Sequence, residues 1–375
     1  MKILAIDIGA GTQDIIFYNT ERELENSIKL VLPSPPVIIV EMINKETQKG
    51  KNLYFDGTTM GGGKIKQAIA NHIEKGYEVA MEEEAGKTIK DDLKIVEELG
   101  IEIIKNENND FKGSLESQNY SNENQSHNSN QNKPTYHNKK YSNYSKITLK
   151  DIDIEQLSST IAKYDLNFSF DEIAVAAQDH GFSDKMGDRD FRFEKIREKL
   201  SKPLKVEEFA FYGNVPDYFS RLKAIEKTLK GYNPIIMDSK FASVLGACND
   251  SEVAKLNSFV VMDIGNGHTM AASIEDRKIQ GVFEHHTSNL SPKKIEKLIN
   301  KLILGTITHE EIHNDNGHGA HVINSISKLE KVVVTGPRRG IIEKTNLDYY
   351  NASPGGDVMM TGPIGLIKAV EYLKC

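Results

Sequence analysis

The stretch Ile6-Asp7-Ile8-Gly9-Ala10-Gly11-Thr12 decides the interpretation of this sequence, because its pattern returns in the second half of the chain. The second copy is Met262-Asp263-Ile264-Gly265-Asn266-Gly267-His268-Thr269. Each copy is an apolar strand that ends in Asp, then a turn with two glycines, then a second strand. A carboxylate at the end of a buried strand costs free energy unless a partner or ligand offsets it. Glycines let successive backbone amides approach an anion. One copy alone could be an ordinary glycine hairpin, but the repeat predicts a metal-bound phosphate site.

The composition is that of a globular protein without disulfides. The chain has 375 residues, 38% of them hydrophobic, which suggests two domain cores. A net charge of -7 argues against a nucleic-acid-binding surface. Two cysteines, Cys248 and Cys375, cannot form a disulfide framework or a multi-cysteine metal site. The N-terminus lacks the apolar region of a signal peptide, and no apolar run reaches the roughly 20 residues of a membrane span. We therefore expect a soluble, cytoplasmic protein with no nucleic-acid or membrane partner.

Apolar strands and helices alternate along most of the chain. Runs such as residues 3–6 are apolar throughout, which predicts a sheet covered on both faces. A further short strand is predicted at 37–40. Residues 106–146 contain hardly any aliphatic side chains, so we expect a disordered surface insertion there. A small-residue helix near 238–247 precedes the second hairpin, which suggests an N-terminal lobe over 1–237 and a C-terminal lobe over 238–375.

The polar segment Gln178-Asp179-His180-Gly181 follows the apolar strand 173–177. Open α/β sheets place their ligands at such strand ends, so the segment is a candidate substrate site. A polar strand end that caps its own loop explains the same residues. The sequence leaves both interpretations open.

Histidines are concentrated in the second half of the chain. His285, His286, His318 and His321, with His313 and Asp315 nearby in sequence, could form a metal site. Asn-Gly-His loops are also typical of ordinary turns, and the same histidines could instead line a cleft and bind substrate. The sequence does not decide among these three.

Three phrases together resemble the superfamily of actin, sugar kinases and heat-shock chaperone ATPases. The two glycine hairpins resemble its phosphate-1 and phosphate-2 hairpins, and Val332-Val333-Val334-Thr335-Gly336 resembles its adenosine motif. The small-residue helices near 238–247 and 357–370 resemble its connecting helices. The resemblance implies an α/β, two-lobe actin-like ATPase fold of the ribonuclease H-like type, with a nucleotide cleft between the lobes.

The resemblance also implies cofactors, ATP and Mg²⁺, and the residues that hold them. Asp7 and Asp263 would bind the magnesium ion, through water molecules. The nucleotide would be bound by the two turns and the adenosine motif, comprising Asp7, Gly9, Gly11, Thr12, Gln13, Asp263, Gly265, Asn266, Gly267, Thr269, Thr335, Gly336 and Arg338. The chain departs from the family at Pro337, where the adenosine motif usually has its second glycine.

The segment around Gln178 resembles the Gln-x-His-Gly segment that lines the sugar site of xylulose-type carbohydrate kinases. On this resemblance, Gln178 and His180 would contact a substrate, and Asp179 would accept the proton of its hydroxyl group. Asp14 is a second candidate for that catalytic base.

These resemblances favour an ATP- and Mg²⁺-dependent phosphotransferase, a kinase that acts on a small hydroxylated or acidic metabolite. An ATPase that activates or remodels a partner protein by lobe closure is the alternative. A non-catalytic nucleotide-binding or filament-forming actin relative is the third. The whole chain also resembles a prokaryotic family labelled pyruvate formate-lyase activating enzyme-like. Such activases hold an iron–sulfur cluster with three closely spaced cysteines, and this chain has only two, far apart.

Overall fold

The structure is a computed structural model that describes residues 1–105, 139–165 and 168–374. It divides into two compact units. The main unit comprises Met1–Ile38, Thr59–Lys64 and Lys150–Cys375, and the small unit comprises Ile39–Thr58 and Ile65–Leu149.

Strands and helices alternate through both units. The strands are β1 (Lys2–Ile8), β2 (Thr12–Asn19), β3 (Ile28–Pro33), β4 (Leu53–Gly57), β5 (Val79–Glu82), β6 (Ile101–Ile104), β7 (Ser145–Leu149), β8 (Glu172–Ala177), β9 (Phe211–Tyr212), β10 (Ile235–Met237), β11 (Ser258–Ile264), β12 (His268–Glu275), β13 (Lys278–His286), β14 (Gly319–Val322), β15 (Val332–Thr335) and β16 (Tyr349–Asn351). The helices are α1 (Pro35–Gln48), α2 (Ile65–Glu74), α3 (Glu83–Gly86), α4 (Leu93–Glu98), α5 (Ile154–Ile161), α6 (Asp188–Lys199), α7 (Ser220–Thr228), α8 (Ser239–Cys248), α9 (Pro292–Ile303), α10 (His309–Asn314) and α11 (Thr361–Lys374).

The two six-stranded sheets of the main unit share an arrangement of five strands, β3-β2-β1-β8-β10 in one and β13-β12-β11-β15-β16 in the other, and the sixth strand lies at opposite edges. The first has the order β3-β2-β1-β8-β10-β9, and the second has the order β14-β13-β12-β11-β15-β16. In each, the strand that leads into a glycine hairpin pairs antiparallel with the next strand and parallel with a later one. Two lobes with the same strand arrangement confirm the predicted α/β, two-lobe fold of the actin-like type.

Side chains alternate between the two faces of each sheet, as the two-residue period of a strand requires. Ile3 and Ala5 of β1 belong to one buried cluster, and Leu4 and Ile6 belong to another. The first of these clusters also contains residues of β11 and of the helices α8 and α11. Both faces of the sheets are therefore covered, which explains why the strands are apolar throughout.

Helices α8 and α11 pack backbone to backbone. A β-carbon at Gly246 of α8 would collide with the carbonyl oxygen of Thr361. A β-carbon at Gly365 of α11 would collide with the carbonyl oxygen of Ala242. Small residues are required at this crossing because nothing larger than hydrogen fits.

The small unit has a parallel sheet with the strand order β6-β5-β4-β7. Residues 106–138 of the predicted insertion lie outside the described residues. The rest of that insertion, 139–146, contains a 3-10 turn at Lys139–Tyr141 and the start of β7. The buried Tyr141 donates a hydrogen bond of 2.8 Å to Glu102. The predicted insertion was therefore too long at its C-terminal end, because this tyrosine packs against the sheet.

The strand predicted at 37–40 is wrong, because these residues lie in α1. Pro35 and Pro36 occupy the start of this helix, where backbone N–H groups have no partner within the helix, so a missing N–H costs nothing. The third strand of the first sheet is instead Ile28–Pro33. Within the described part of the chain, no helix has the length and apolar character needed to span a membrane.

Candidate nucleotide and histidine sites

The two glycine hairpins have the same turn geometry. Gly9 N–H donates to the carbonyl oxygen of Thr12 at 2.9 Å, and Gly265 N–H donates to that of His268 at 3.1 Å. A β-carbon on Gly11 would lie 3.0 Å from Nδ2 of Asn266. The two turns, which are far apart in sequence, therefore approach each other in the main unit.

Two carboxylates lie beside the first hairpin. Asp7 of β1 and Asp14 of β2 are paired across the strands and are both buried. Among the described residues, Oδ1 of each has no hydrogen-bond partner. Burial raises the pKa of Asp7 well above its usual value, and the neighbouring Asp14 adds to this effect. Burial also raises the pKa of Asp14 to about 7. Two orphaned carboxylate oxygens are donors that suit Mg²⁺.

The carboxylate beside the second hairpin is already paired. Nζ of Lys240 lies 2.8 Å from Oδ2 of Asp263 and donates to the carbonyl oxygen of His268 at 2.8 Å. A β-carbon at Gly265 would lie 2.7 Å from the same ammonium. A buried ion pair therefore lies against the second hairpin and holds its turn in place. Lys240 was not among the predicted site residues, although a lysine within a buried helix was a signal.

The adenosine-like motif lies next to Asp263. Thr335 is aligned with Asp263 in the parallel pair of β11 and β15, and its hydroxyl bonds to that of Thr361 at 2.8 Å. Gly336 has a φ of +91°, and a β-carbon there would lie 2.5 Å from Oδ1 of Asp263. Arg338 is exposed, and its backbone N–H donates to Ile264. The loop is thus fastened to β11 by its backbone.

The remaining predicted turn residues have structural contacts. Thr269 is fully buried and bonds to the hydroxyl of Thr287 at 2.9 Å. Thr287, which the sequence analysis missed, also donates to the carbonyl oxygen of Gly265. Gln13 donates to Pro33, and the hydroxyl of Thr12 bonds to the Asp14 carboxylate.

Asp179, a predicted catalytic base, is hydrogen-bonded to backbone N–H groups. Its carboxylate accepts hydrogen bonds from the N–H groups of Gly181 at 2.8 Å, Arg221 at 2.9 Å and Leu222 at 3.0 Å. Two of these amides lie in the first turn of α7, where N–H groups lack partners within the helix. The arrangement is that of a carboxylate that closes a loop and caps a helix.

Gln178 and His180 lie among other histidines. Gln178 donates to Glu284 at 2.5 Å, and its Oε1 lies 2.8 Å from Nδ1 of His268. The Nε2 atoms of His180 and His318 are 2.9 Å apart. Burial lowers the pKa of His180 to about 3 and that of His268 to about 4. These rings are therefore neutral at neutral pH.

A buried ion-pair network supports this cluster. Nε of Arg192 lies 2.8 Å from Glu284, and its Nη1 lies 2.7 Å from Asp238. Burial opposes ionisation of Glu284, but Arg192 and the histidines outweigh it and leave the pKa of this carboxylate below its usual value. Glu284 was not predicted as a site residue. A glutamate within the apolar strand β13 was the available signal.

The predicted histidine group is divided by the structure. His285 bonds to Asp315 at 3.0 Å, and His321 bonds to the carbonyl oxygen of Leu200 at 3.0 Å. His318 and His286 lie instead beside His268, with ring centroids 4.7 Å and 4.9 Å away. Ring nitrogens of His180, His268 and His318 all lie within 4.8 Å of one another.

The strand order and paired hairpins define a protein with the two-lobe actin-like ATPase fold. The chain belongs to the family described as "Putative pyruvate format-lyase activating enzyme (DUF1786)", whose model matches residues 60–341. No curated protein matches the sequence. Cys248 is the one cysteine within the described residues.

Several solved structures are similar at low identity. The ethanolamine utilization protein EutJ from Carboxydothermus hydrogenoformans has 15% identity and a TM-score of 0.21, over 39% of this chain and 61% of that chain. Component A of the (R)-2-hydroxyglutaryl-CoA dehydratase of Acidaminococcus fermentans has 15% identity and a TM-score of 0.21, over 38% and 73%. The ROK hexokinase from Thermus thermophilus has 9% identity and a TM-score of 0.29, over 99% and 100%. The chain thus spans less than two thirds of the length of EutJ.

Proposed function

We propose that this protein binds Mg²⁺-ATP between its two glycine hairpins and transfers the terminal phosphoryl group to a small hydroxylated or acidic metabolite. The observation that carries the proposal is the approach of the two turns at Gly11 and Asn266, beside buried carboxylate oxygens without partners. Backbone amides of both turns would bind the phosphates.

Asp7 would hold the magnesium ion, directly or through water molecules. Its unpartnered oxygen fits this hard cation, whereas Asp263 is less free to bind it because it is paired with Lys240. When bound, the ion would neutralise charge on the transferring phosphoryl group. Lys240 places a further positive charge beside the second hairpin, and Asn266 brings a side-chain amide to the first.

Asp14 is the stronger of the two candidate bases. Its Oδ1 has no partner among the described residues, whereas the Asp179 carboxylate accepts three backbone hydrogen bonds. We assign to Asp14 the proton of the acceptor hydroxyl, and to Asp179 the positioning of Gln178 and His180.

ADP release by the pure protein, with Mg²⁺-ATP and a panel of hydroxylated and acidic metabolites, tests the proposal. Stimulation by one metabolite, with formation of its phosphate ester, is the expected result. Slow ATP turnover that is accelerated only by a partner protein would contradict the kinase proposal and would support an ATPase that activates that partner.

Asp7→Asn tests the site itself. We expect Mg²⁺-ATP affinity to fall at least about tenfold, because a ligand of the metal is lost. Asp276→Asn is the matched control, since Asp276 is exposed and has a positive φ of 52° that Asn tolerates. Undiminished binding in Asp7→Asn would overturn the hairpin assignment.

A further inference from the structure

Four histidines from separate parts of the main unit converge at one place. His268 begins β12 and is paired with His286 at the end of β13. His180 follows β8, and His318 precedes β14. The rings of His180 and His318 stack with centroids 5.0 Å apart. Because these residues are far apart in sequence, the fold itself assembles the cluster.

Three of these rings offer nitrogen atoms to a common point. One ring nitrogen from each of His180, His268 and His318 lies within 4.8 Å of the other two. Zn²⁺ bonds of about 2.0–2.1 Å in a tetrahedral site place two ligand nitrogens roughly 3.3 Å apart. The Nε2 atoms of His180 and His318, at 2.9 Å, are already near that separation. Small rotations of the rings would bring all three nitrogens to the separation that zinc requires.

The hydrogen bonding of the cluster is incomplete as it stands. His318 is 1% exposed, and within the described ranges its Nδ1 has no partner. The facing Nε2 atoms of His180 and His318 can share only one proton between them. A polar side chain this deeply buried is normally satisfied. An ion bound to both Nε2 atoms would replace the single hydrogen bond that they can form with each other.

The surroundings resemble those of a metal site. Gln178 holds Nδ1 of His268 and so fixes which of its nitrogens points into the cluster. Gln178 in turn bonds to Glu284, whose other oxygen is paired with Arg192. Arg192 also pairs with Asp238, so two carboxylates share one guanidinium. This network fixes the position of Gln178 and, through Gln178, that of the His268 ring.

We propose that His180, His268 and His318 bind a divalent transition-metal ion of the zinc class. Three protein ligands leave one tetrahedral position open for an oxygen atom, from water or from a substrate. Imidazole nitrogen suits zinc rather than Mg²⁺, which takes oxygen ligands. The site is therefore separate from the carboxylates of Asp7 and Asp14, and it stands without the proposed kinase activity.

The test is equilibrium dialysis of metal-free protein against Zn²⁺ in excess Mg²⁺, followed by measurement of bound zinc. We expect one zinc ion per chain. His268→Gln and His318→Gln should each weaken zinc binding at least about tenfold, and Gln178→Ala should weaken it by about tenfold. His321→Gln is the control, because His321 lies in the same region but bonds to Leu200.

A second measurement covers the variants that fold poorly. Co²⁺ in a tetrahedral nitrogen site gives intense visible absorption, which the wild-type protein should show and His268→Gln should lose. His268 is only half-buried, so circular dichroism should show that this variant folds. A wild-type protein that takes up no zinc would overturn the proposal. Equal zinc affinity in His268→Gln and in the control His321→Gln would also overturn it. Asp7→Asn should retain zinc, which separates this result from the nucleotide test.

Discussion

The ammonium of Lys240 lies 2.8 Å from the carboxylate of Asp263, and both side chains are almost fully buried. The pair joins the first turn of α8 to the end of β11. Removing one partner of a buried ion pair costs about 3–5 kcal/mol, because the other charge remains without compensation. The pair therefore couples the stability of this lobe to the geometry of its phosphate-binding turn.

Lys240→Met should lower the free energy of unfolding by about 3 kcal/mol and weaken Mg²⁺-ATP binding. Lys240→Met combined with Asp263→Asn should lose less than the two single changes together, because neither charge is then left alone. Urea denaturation measures all three variants. Lys278→Met, at an exposed position of β13, is the control and should stay within about 0.5 kcal/mol. A loss in Lys240→Met no larger than in this control would contradict the structural role.

Asp179→Asn separates the two roles open to this residue. If Asp179 caps the helix and closes the loop, the substitution should lower the free energy of unfolding by about 1 kcal/mol. The reason is that Asn offers one acceptor oxygen where Asp offers two. The kcat of the metabolite-dependent reaction should then change only modestly. Asp14→Asn should instead reduce kcat strongly while stability is kept or raised, because it removes a buried charge. Urea denaturation and steady-state kinetics of both variants measure these effects. A large fall in kcat in an Asp179→Asn variant of unchanged stability would show that Asp179 is the base.

The repeated hairpin could be predicted because it is local. Asp, two glycines and the flanking apolar strands lie within a short segment, and their chemistry requires no knowledge of the fold. The small-residue helix before the second hairpin was predictable for the same reason. The strand predicted at 37–40 is wrong because Pro35 and Pro36 do not break the chain before it but form the first turn of a helix.

The histidine cluster could be predicted only in part: His286 and His318 were candidates for a metal site, whereas His180 and His268 join them only in the folded chain. His180 and His318 come from different sheets, and the sequence suggested His285 and His321 as partners instead. Those two face Asp315 and Leu200. The same holds for Lys240, whose partner lies beyond the end of its own helix. Local patterns reveal turns, whereas partners across sheets depend on register and topology.

Gly336→Ala should disturb the adenosine-like turn. The residue has a φ of +91°, which side chains rarely adopt, and its β-carbon would lie 2.5 Å from both Oδ1 of Asp263 and the carbonyl oxygen of Ile264. We expect a loss of about 1–3 kcal/mol in stability together with weaker ATP binding. Gly340→Ala is the matched control, since nothing lies within 4 Å of its β-carbon position. Thermal unfolding with and without Mg²⁺-ATP measures both effects, and equal behaviour of the two variants would refute the close approach at Gly336.

Gly365→Ala should destabilise the crossing of α8 and α11. The added methyl group would collide with the carbonyl oxygen of Ala242, which belongs to helix backbone and cannot rotate away. The two helices must move apart, and we expect a loss of about 1–3 kcal/mol or more. Gly231→Ala is the control, because its β-carbon position meets nothing within 4 Å. Urea denaturation compares the two variants.

Gly365→Ala should also affect nucleotide binding. Because the buried cluster at this crossing contains side chains from both sheets, moving the two helices apart should also move the two hairpins apart. Mg²⁺-ATP affinity should therefore fall in Gly365→Ala and stay unchanged in Gly231→Ala, and a destabilised Gly365→Ala that binds the nucleotide normally would show that the crossing does not set the distance between the two turns.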